Sequence, residues 1–340
     1  MTQDWTWDDM LAEFRALGGI ADNIRLGHGP LGRGIFAVDE NEPIHIHVPD
    51  NLLFDSDGVE LREGLLCLKK KKSSLSREED FFEKFQNIFS WGGGGREDTQ
   101  ALIKLFGGIP PEISKLLLKG FGRNTVSDTD TPDAVLRRFL VSRRLRMANG
   151  RQVLMPILEL VNHDLNGQPF TFKNGISLKA KVQSEVYARY NITDPFGSFF
   201  TWGFSGTASH AFSLSMRLTF GSQKILIKRD LAEKDKRGNV GLPVVRKNGD
   251  TITLSHLMIG NARNPRIVKG TFYHLLRPLN VSNLEEVFDR VHAINNKRFI
   301  KLLLALEDFE GPSISALRKM ALLQLDAISN CFGVRSASRA

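Results

Sequence analysis

Apolar residues at Trp5, Met10, Leu11, Phe14 and Leu17 recur at helical spacing and stop at Gly18-Gly19, which predicts a short amphipathic helix over residues 5–17. The period then drops to two. Residues 24–26 and 35–38 read as strands flanking a glycine-rich turn, Gly27-His-Gly29-Pro-Leu-Gly32-Arg-Gly34, and Ile44-His-Ile-His-Val48 alternates as a further strand. Glycine lets a backbone approach a ligand closely, so this turn is a candidate binding element. Ser76-Arg-Glu-Glu79 has the form of a capping box ahead of Phe81, Phe82, Phe85, Ile88 and Phe89, and a helix is expected from about residue 77. Trp91-Gly-Gly-Gly-Gly95 should break that helix as a flexible loop, with helical patterns returning at residues 102–106, 113–118 and 135–145.

Strand character comes back at residues 170–172, 176–180 and 185–190, with Asn174-Gly175 as a hairpin turn. Aromatic density peaks at Phe199, Phe200 and Trp202, where core packing is the default expectation. Further strands are expected at residues 212–220 and 225–227 and in a hairpin at 244–253 around Asn248-Gly249. Long amphipathic helical stretches follow at 284–309 and 313–332.

In composition the chain is an ordinary globular protein: 340 residues, 41% hydrophobic and 25% charged. No segment reaches the ~18 uncharged apolar residues of a membrane span, and the first residues, Met1-Thr-Gln-Asp-Trp5, are acidic, so no membrane association and a cytoplasmic location are expected. Cys67 and Cys331 are too few for a disulfide framework or an all-cysteine zinc cluster. The net charge of +8 favours acidic partners without naming one. With no nucleic-acid motif present, nucleic acid is not the expected partner. The run Lys69-Lys-Lys-Lys72 reads as a solvated loop. His45 and His47 would share a strand face, but no third ligand lies nearby in the sequence and no metal is expected. Gly29-x-x-Gly32-x-Gly34 departs from the dinucleotide-binding spacing and runs on into a strand rather than a helix. Trp91-Gly-Gly-Gly-Gly95 lacks the Lys-Ser/Thr of a phosphate cradle.

The stretch with most chemistry is Leu154-Met-Pro-Ile-Leu-Glu-Leu-Val-Asn-His-Asp164, an apolar run ending in Asn162-His163-Asp164. A buried amide or imidazole left unpaired costs roughly 1–3 kcal/mol, so something polar should sit against Asn162. Taken alone, Asn-His could equally cap or turn the chain. Three other pieces stand in a set order around it: Gly32-Arg-Gly-Ile-Phe-Ala37, then Phe139-Leu-Val-Ser-Arg143, then Pro156-x-x-Glu-x-x-Asn-His163 itself, and finally Tyr190 followed by Trp202-Gly-Phe204. Arg143 in its basic surroundings could also be a solvated charge, and Tyr190 a core tyrosine. Tyr187, on the opposite strand face, is the expected packing residue.

This ordered set resembles the SET-domain methyltransferases, specifically the Rubisco large-subunit methyltransferase-like class. The resemblance implies an α+β protein in which a SET-type β-fold (residues 1–73 and 147–206) is split by a helical insert (74–146). A mostly helical, substrate-binding-like C-terminal domain (207–340) follows. It implies S-adenosylmethionine as cofactor, held by Gly32, Arg33, Gly34, Arg143, Asn162 and His163, with Arg143 toward the carboxylate end. Tyr190 would be the catalytic residue bordering the methyl-transfer channel, and Trp202 and Phe204 would line the substrate channel. The implied activity is methyl transfer to a side-chain nitrogen, foremost lysine, of a protein substrate; histidine as acceptor, or a non-catalytic SET-like protein-binding module, are the alternatives. The oligomeric state is left open. Three positions depart from the family's pattern: Glu159 stands where Asp is usual, Asn191 where Gly commonly follows the tyrosine, and Trp202 where a second tyrosine is common.

Overall fold

A computed structural model of the chain describes residues 5–69, 74–123, 125, 131–181, 184–190, 193–205, 210–229, 243–261, 264–281 and 283–329. Asn191, Cys331 and most of the lysine run lie outside the described residues. The chain forms two compact units, Met1–Ile103 with Asp128–Asn191, and Lys104–Ser127 with Ile192–Ala340. Residues of the 74–146 helical stretch therefore contribute to both.

The first unit opens with helix α1 (Trp7–Ala16), whose N-cap Thr6 and Asp9 form a reciprocal capping box. Met10, Leu11 and Phe14 are its buried face. The strands follow as β1 (Ile20–Asp22), β2 (Ile24–Gly29), β3 (Gly32–Ala37), β4 (Ile44–Pro49), β5 (Phe54–Asp55), β6 (Val59–Arg62) and β7 (Leu65–Leu68). Helices α2 (Arg77–Phe85), α3 (Arg96–Gly107), α4 (Pro111–Phe121) and α5 (Pro132–Arg143) come next, α4 belonging to the second unit. The first unit is completed by β8 (Leu145–Arg146), β9 (Gln152–Leu154), β10 (Asn162–Gln168), β11 (Thr171–Phe172), β12 (Gly175–Ala180) and β13 (Tyr187–Ala188).

A four-stranded sheet in the order β1-β4-β12-β11 forms the floor of this unit, with antiparallel neighbours throughout. Strict alternation on β4 sends Ile44, Ile46 and Val48 wholly into the core. Each such side chain contributes ~1.5–3 kcal/mol by leaving water. His45 and His47 share the opposite face, and His47 Nδ1 lies 2.7 Å from Ser177 Oγ on β12. The β11–β12 hairpin turns at Asn174 and Gly175, both with positive φ (52° and 127°), as Asn-Gly predicts.

Two sequence expectations are corrected in part here. The glycines of residues 27–34 are mostly not the turn itself: they lie in the β2–β3 ladder, where Gly27 faces Gly34 and Gly29 faces Gly32, and the chain reverses at Pro30-Leu31 with Gly32 at positive φ. The Trp91–Gly95 run does interrupt its helix as expected, through non-helical φ/ψ at Gly93 and Gly94, but as a kink and not as an extended loop. Helix α2 passes into a wider turn of π type over Gln86–Gly95, kinks at Gly93 and Gly94, and resumes as α3. Strand character at residues 185–190 is limited to β13, which pairs with β10 in parallel, and to a single antiparallel bridge between Glu185 and Phe36.

The second unit adds α6 (Pro195–Trp202), β14 (His210–Phe212), β15 (Met216–Phe220), β16 (Gln223–Lys228), β17 (Val244–Asn248), β18 (Thr251–Ser255), β19 (Met258–Asn261), α7 (Pro265–Leu276), α8 (Leu284–Ala305) and α9 (Pro312–Ser329). Its sheet runs β15-β16-β18-β17, with β16 and β18 parallel. Among the described residues no helix is long and apolar enough to cross a membrane. The fold is α+β, with strands and helices interspersed in both units.

Candidate functional site

The polar residues of the first unit gather on the segment 157–163. The run enters it through Ile157, buried and at φ 67°, ψ −54°, with Leu158 N donating to Pro156 O at 2.8 Å: a tight γ-turn that a β-branched residue adopts only under strain. A single turn over Leu158–Leu160 then drives the Glu159 side chain inward, where it is 5% exposed.

Glu159 Oε1 accepts from Gln86 Nε2 at 2.8 Å and from the Ser90 hydroxyl, while Oε2 is buried with no partner. Burial pushes its carboxyl up, against the pull of Arg143 and of the two donors. Arg143, the last residue of α5, donates from Nη1 to Glu159 O at 3.1 Å and lies 4.8 Å over the Phe139 ring. Its Nε is buried without a partner. It is therefore not the solvated charge its basic surroundings allow. Arg33, on β3, donates to Ser90 O at 3.4 Å; burial and then the Arg143 charge pull its pKa below the usual guanidinium value.

The glycine run makes room for both guanidiniums. A Cβ on Gly93 would lie 2.1 Å from Arg33 Nη1, and one on Gly95 would lie 2.8 Å from the Phe139 ring and 3.2 Å from Arg143 Nη2. Gly93 and Gly95 are thus part of the site, and in sequence they carry no sign of it beyond being glycine.

Asn162, the first residue of β10, donates from Nδ2 to Glu185 Oε1 at 2.8 Å and to Arg33 O at 3.3 Å, which supplies the polar partner expected for it. Backbone bonds Ala37 N to Ser184 O and Val186 N to Ile35 O, each 2.8 Å, dock the 184–186 segment on β3 and bring Glu185 beneath the hairpin. A Cβ on Gly34 would lie 2.6 Å from Asn162 Nδ2 and 3.0 Å from Glu185 Oε1, and one on Gly29 would lie 2.6 Å from Glu185 Oε2. These two glycines are required by close packing against polar side chains. Gly32 differs: it is exposed at φ 90°, with nothing within 4 Å of a would-be Cβ, and serves the reversal of the hairpin. Glu185, 4% exposed, was legible only as a charge leading an apolar strand.

Both tyrosines of this segment are half-buried, and Tyr187 is not the plain packing residue expected of it. Tyr187 is half-buried and its hydroxyl donates to Glu185 Oε2 at 2.7 Å; burial and then that bond push it up to about 12. Tyr190 packs on the core, lies 5.1 Å from the His163 ring, and donates its hydroxyl proton to Val161 O. Burial pushes it up to about 12 as well. His163 Nδ1 lies 3.1 Å from Ala188 O and 3.2 Å from Tyr190 N, and burial lowers its pKa, so the ring is held neutral with one of these contacts satisfied at a time.

Gly34, Arg33, Arg143, Asn162, His163 and Tyr190 therefore meet around residues 159–163 of one unit, through segments more than a hundred residues apart. Trp202 and Phe204 belong to the second unit, where Trp202 ends α6 and its ring stacks 6.1 Å from that of Phe204, which is 43% exposed.

No protein-family model and no curated protein matches this sequence. Solved structures do. The chain is similar to the SET domain of LSMT bound to lysine and AdoHcy, with 14% identity, TM-score 0.43, 95% of this chain covered and 89% of that one. It is similar to Rubisco LSMT bound to AdoMet, with 14% identity, TM-score 0.44 and coverage of 96% and 90%. A third such structure, Rubisco LSMT bound to sinefungin and monomethyllysine, has 15% identity, TM-score 0.43 and coverage of 94% and 88%.

Proposed function

We propose that this chain is an S-adenosylmethionine-dependent protein methyltransferase of the SET type that transfers a methyl group to a lysine side chain of a protein substrate. What supports it is one observation: the residues of four separated motifs converge on Glu159–His163, with two guanidiniums and an orphaned polar atom at one end and a fixed tyrosine at the other.

The residues fit that cofactor. Arg143, whose buried Nε lacks a partner, and Arg33 beside it would hold its carboxylate, a charge-assisted contact for which guanidinium is suited. The β3 backbone about Gly34, with Asn162 and His163, would hold the rest, because the missing Cβ lets the Asn162 side chain close up against the strand. S-adenosylmethionine, when bound, supplies an electrophilic methyl group on a sulfonium. In-line displacement from such a centre needs alignment and a neutral amine more than a strong base. Tyr190 suits this: with its proton committed to Val161 O and its pKa near 12, it is a neutral, oriented oxygen whose lone pairs can accept weak C–H···O contacts. His163 stays neutral and adds no competing charge.

One residue favours a second reading. Trp202 offers an indole donor but no acceptor oxygen at the position expected of a channel tyrosine, which suits a histidine acceptor, or a module that binds cofactor and protein without transfer.

Calorimetric titration with S-adenosylhomocysteine tests the cofactor: the native chain binds, and Asn162→Ala loses binding while remaining folded by circular dichroism. Full affinity in that variant would overturn the assignment. Incubating the chain with tritiated S-adenosylmethionine and a cell extract, then hydrolysing the labelled proteins, separates methyllysine from methylhistidine and both from no transfer.

A further inference from the structure

Away from the site on residues 157–163, the second unit contains a cleft of about 490 Å³ lined by α4 and α8. Lys115 and Lys119 line it from α4, Arg298 and Lys301 from α8, and Glu112 is the one carboxylate among the lining residues. Spacings of four and three residues put each pair of cations on one helix face. None of the four cations is in an ion pair with a described carboxylate, whereas the second unit's ion pairs Arg229–Asp194 and Lys269–Glu285 lie elsewhere. Arg298 is half-buried and is held in place by donating to Ser215 O at 2.8 Å.

The ordinary explanation for such cations is that they complement the partial negative charge at a helix C-terminus, an effect confined to the last turn. It accounts for Lys119. It does not account for Lys115 or Arg298, which lie further from the ends of helices closing at Phe121 and Ala305. Leu118 and Leu304, each three residues from a cleft lysine and so beside it on the helix, are 53% and 58% exposed. Phe121, the aromatic residue of the lining, is buried against Phe196 and Phe299 and offers no face for stacking a base.

The geometry points to a docking site for an acidic stretch of polypeptide, its carboxylates lying between the two cation pairs and an apolar side chain resting on Leu118 or Leu304. The surplus of positive charge in the cleft is the complementarity that selects this occupant, and the missing aromatic platform disfavours single-stranded nucleic acid. The site stands independently of the methyl-transfer assignment, because it lies wholly within the second unit and uses none of the residues around Asn162.

The test uses the full chain and a fluorescein-labelled peptide of alternating glutamate and leucine, titrated by fluorescence anisotropy at low ionic strength, where surface charge is least screened. The peptide is expected to bind, and the double reversal K119E/K301E to weaken it by about tenfold or more. Reversal of an exposed lysine outside the cleft, Lys224→Glu on β16, should change affinity by less than about twofold. Circular dichroism establishes that the variants are folded. Absence of binding by the native chain, or an equal loss in Lys224→Glu, overturns the proposal. So does tighter binding of a labelled thymidine oligonucleotide that is lost in the same double variant, which would make the cleft a nucleic-acid site.

Discussion

Asn162 is held between a backbone carbonyl and a buried carboxylate, and that pairing dictates what neighbouring residues can be. Gly34→Ala would place a methyl group 2.6 Å from Asn162 Nδ2 and 3.0 Å from Glu185 Oε1. Glu185 cannot retreat freely, because Tyr187 also holds it at 2.7 Å. We expect overpacking of ~1–3 kcal/mol, read from denaturant midpoints, together with loss of S-adenosylhomocysteine binding by calorimetry. The tyrosines give a prediction that needs no mutation. The chain has three tyrosines, and all have pKa values raised: burial comes first for Tyr187 and Tyr190, at about 12 each, and the hydrogen bond to Glu285 comes first for Tyr273. Most of the phenolate absorbance at alkaline pH, the two-thirds from Tyr187 and Tyr190, should therefore be missing at the ordinary tyrosine value near ~10 and rise only beyond it. Because the folded values exceed the unfolded one, the stabilisation is complete below ~10 and is lost as pH climbs through the folded values. Titration of all three tyrosines at the ordinary value in folded protein would contradict the placement of Tyr190 against Val161 O.

At the scale of the element, the informative segment is Gln86–Gly95. Its φ/ψ departures at Gly93 and Gly94 break the helix where the glycines lead one to expect, and leave α2 and α3 meeting at a kink. Two glycine substitutions should separate the fold from the site. A Cβ on Gly92 would lie 1.8 Å from the Asn87 carbonyl oxygen, a backbone atom that cannot swing aside, so Gly92→Ala should be among the most destabilising changes in the first unit, by ~3 kcal/mol or more in chemical unfolding. A Cβ on Gly93 meets chiefly the flexible end of Arg33, so Gly93→Ala should cost less stability while weakening cofactor affinity. If Gly92→Ala unfolds at the native midpoint, the π-type turn is not present in solution. The capping box at Ser76, the alternation on β4 and the Asn-Gly hairpin were all visible beforehand, because each depends on neighbours within a few residues. The glycine run was not, because a flexible loop and a kinked helix packed on arginines share one composition.

Over the molecule as a whole, the second unit turns on a buried ion pair as the first turns on Glu159–His163. Asp194 is fully buried; it accepts from Arg229, from Gly197 N at 2.8 Å, from Phe212 N at 2.9 Å and from Gln324 Nε2 at 2.8 Å, linking α6, β14 and α9. Burial pushes its carboxyl up, but the Arg229 charge and these donors outweigh it and hold it below the usual carboxylate range. Removing one partner leaves the other charge buried, so Asp194→Ala should cost ~3–5 kcal/mol near neutral pH. The sign follows from the depressed value: the contribution is present above the unfolded value of ~3.9 and is lost as pH falls through the folded one, so native and variant stabilities should converge in acid. Hydrogen exchange should report the loss in residues 193–329. What the sequence by itself determined is the kind and order of most elements and which motifs to look for together, because helix period, strand alternation, caps and ordered motifs are properties of short stretches. Only the tertiary structure decided that Glu185 faces Asn162, that Gly93 and Gly95 seat the arginines, that the Tyr190 hydroxyl meets Val161 O, and that the 74–146 stretch serves two units. Those outcomes depend on contacts between residues tens to over a hundred positions apart, and no local spacing records them.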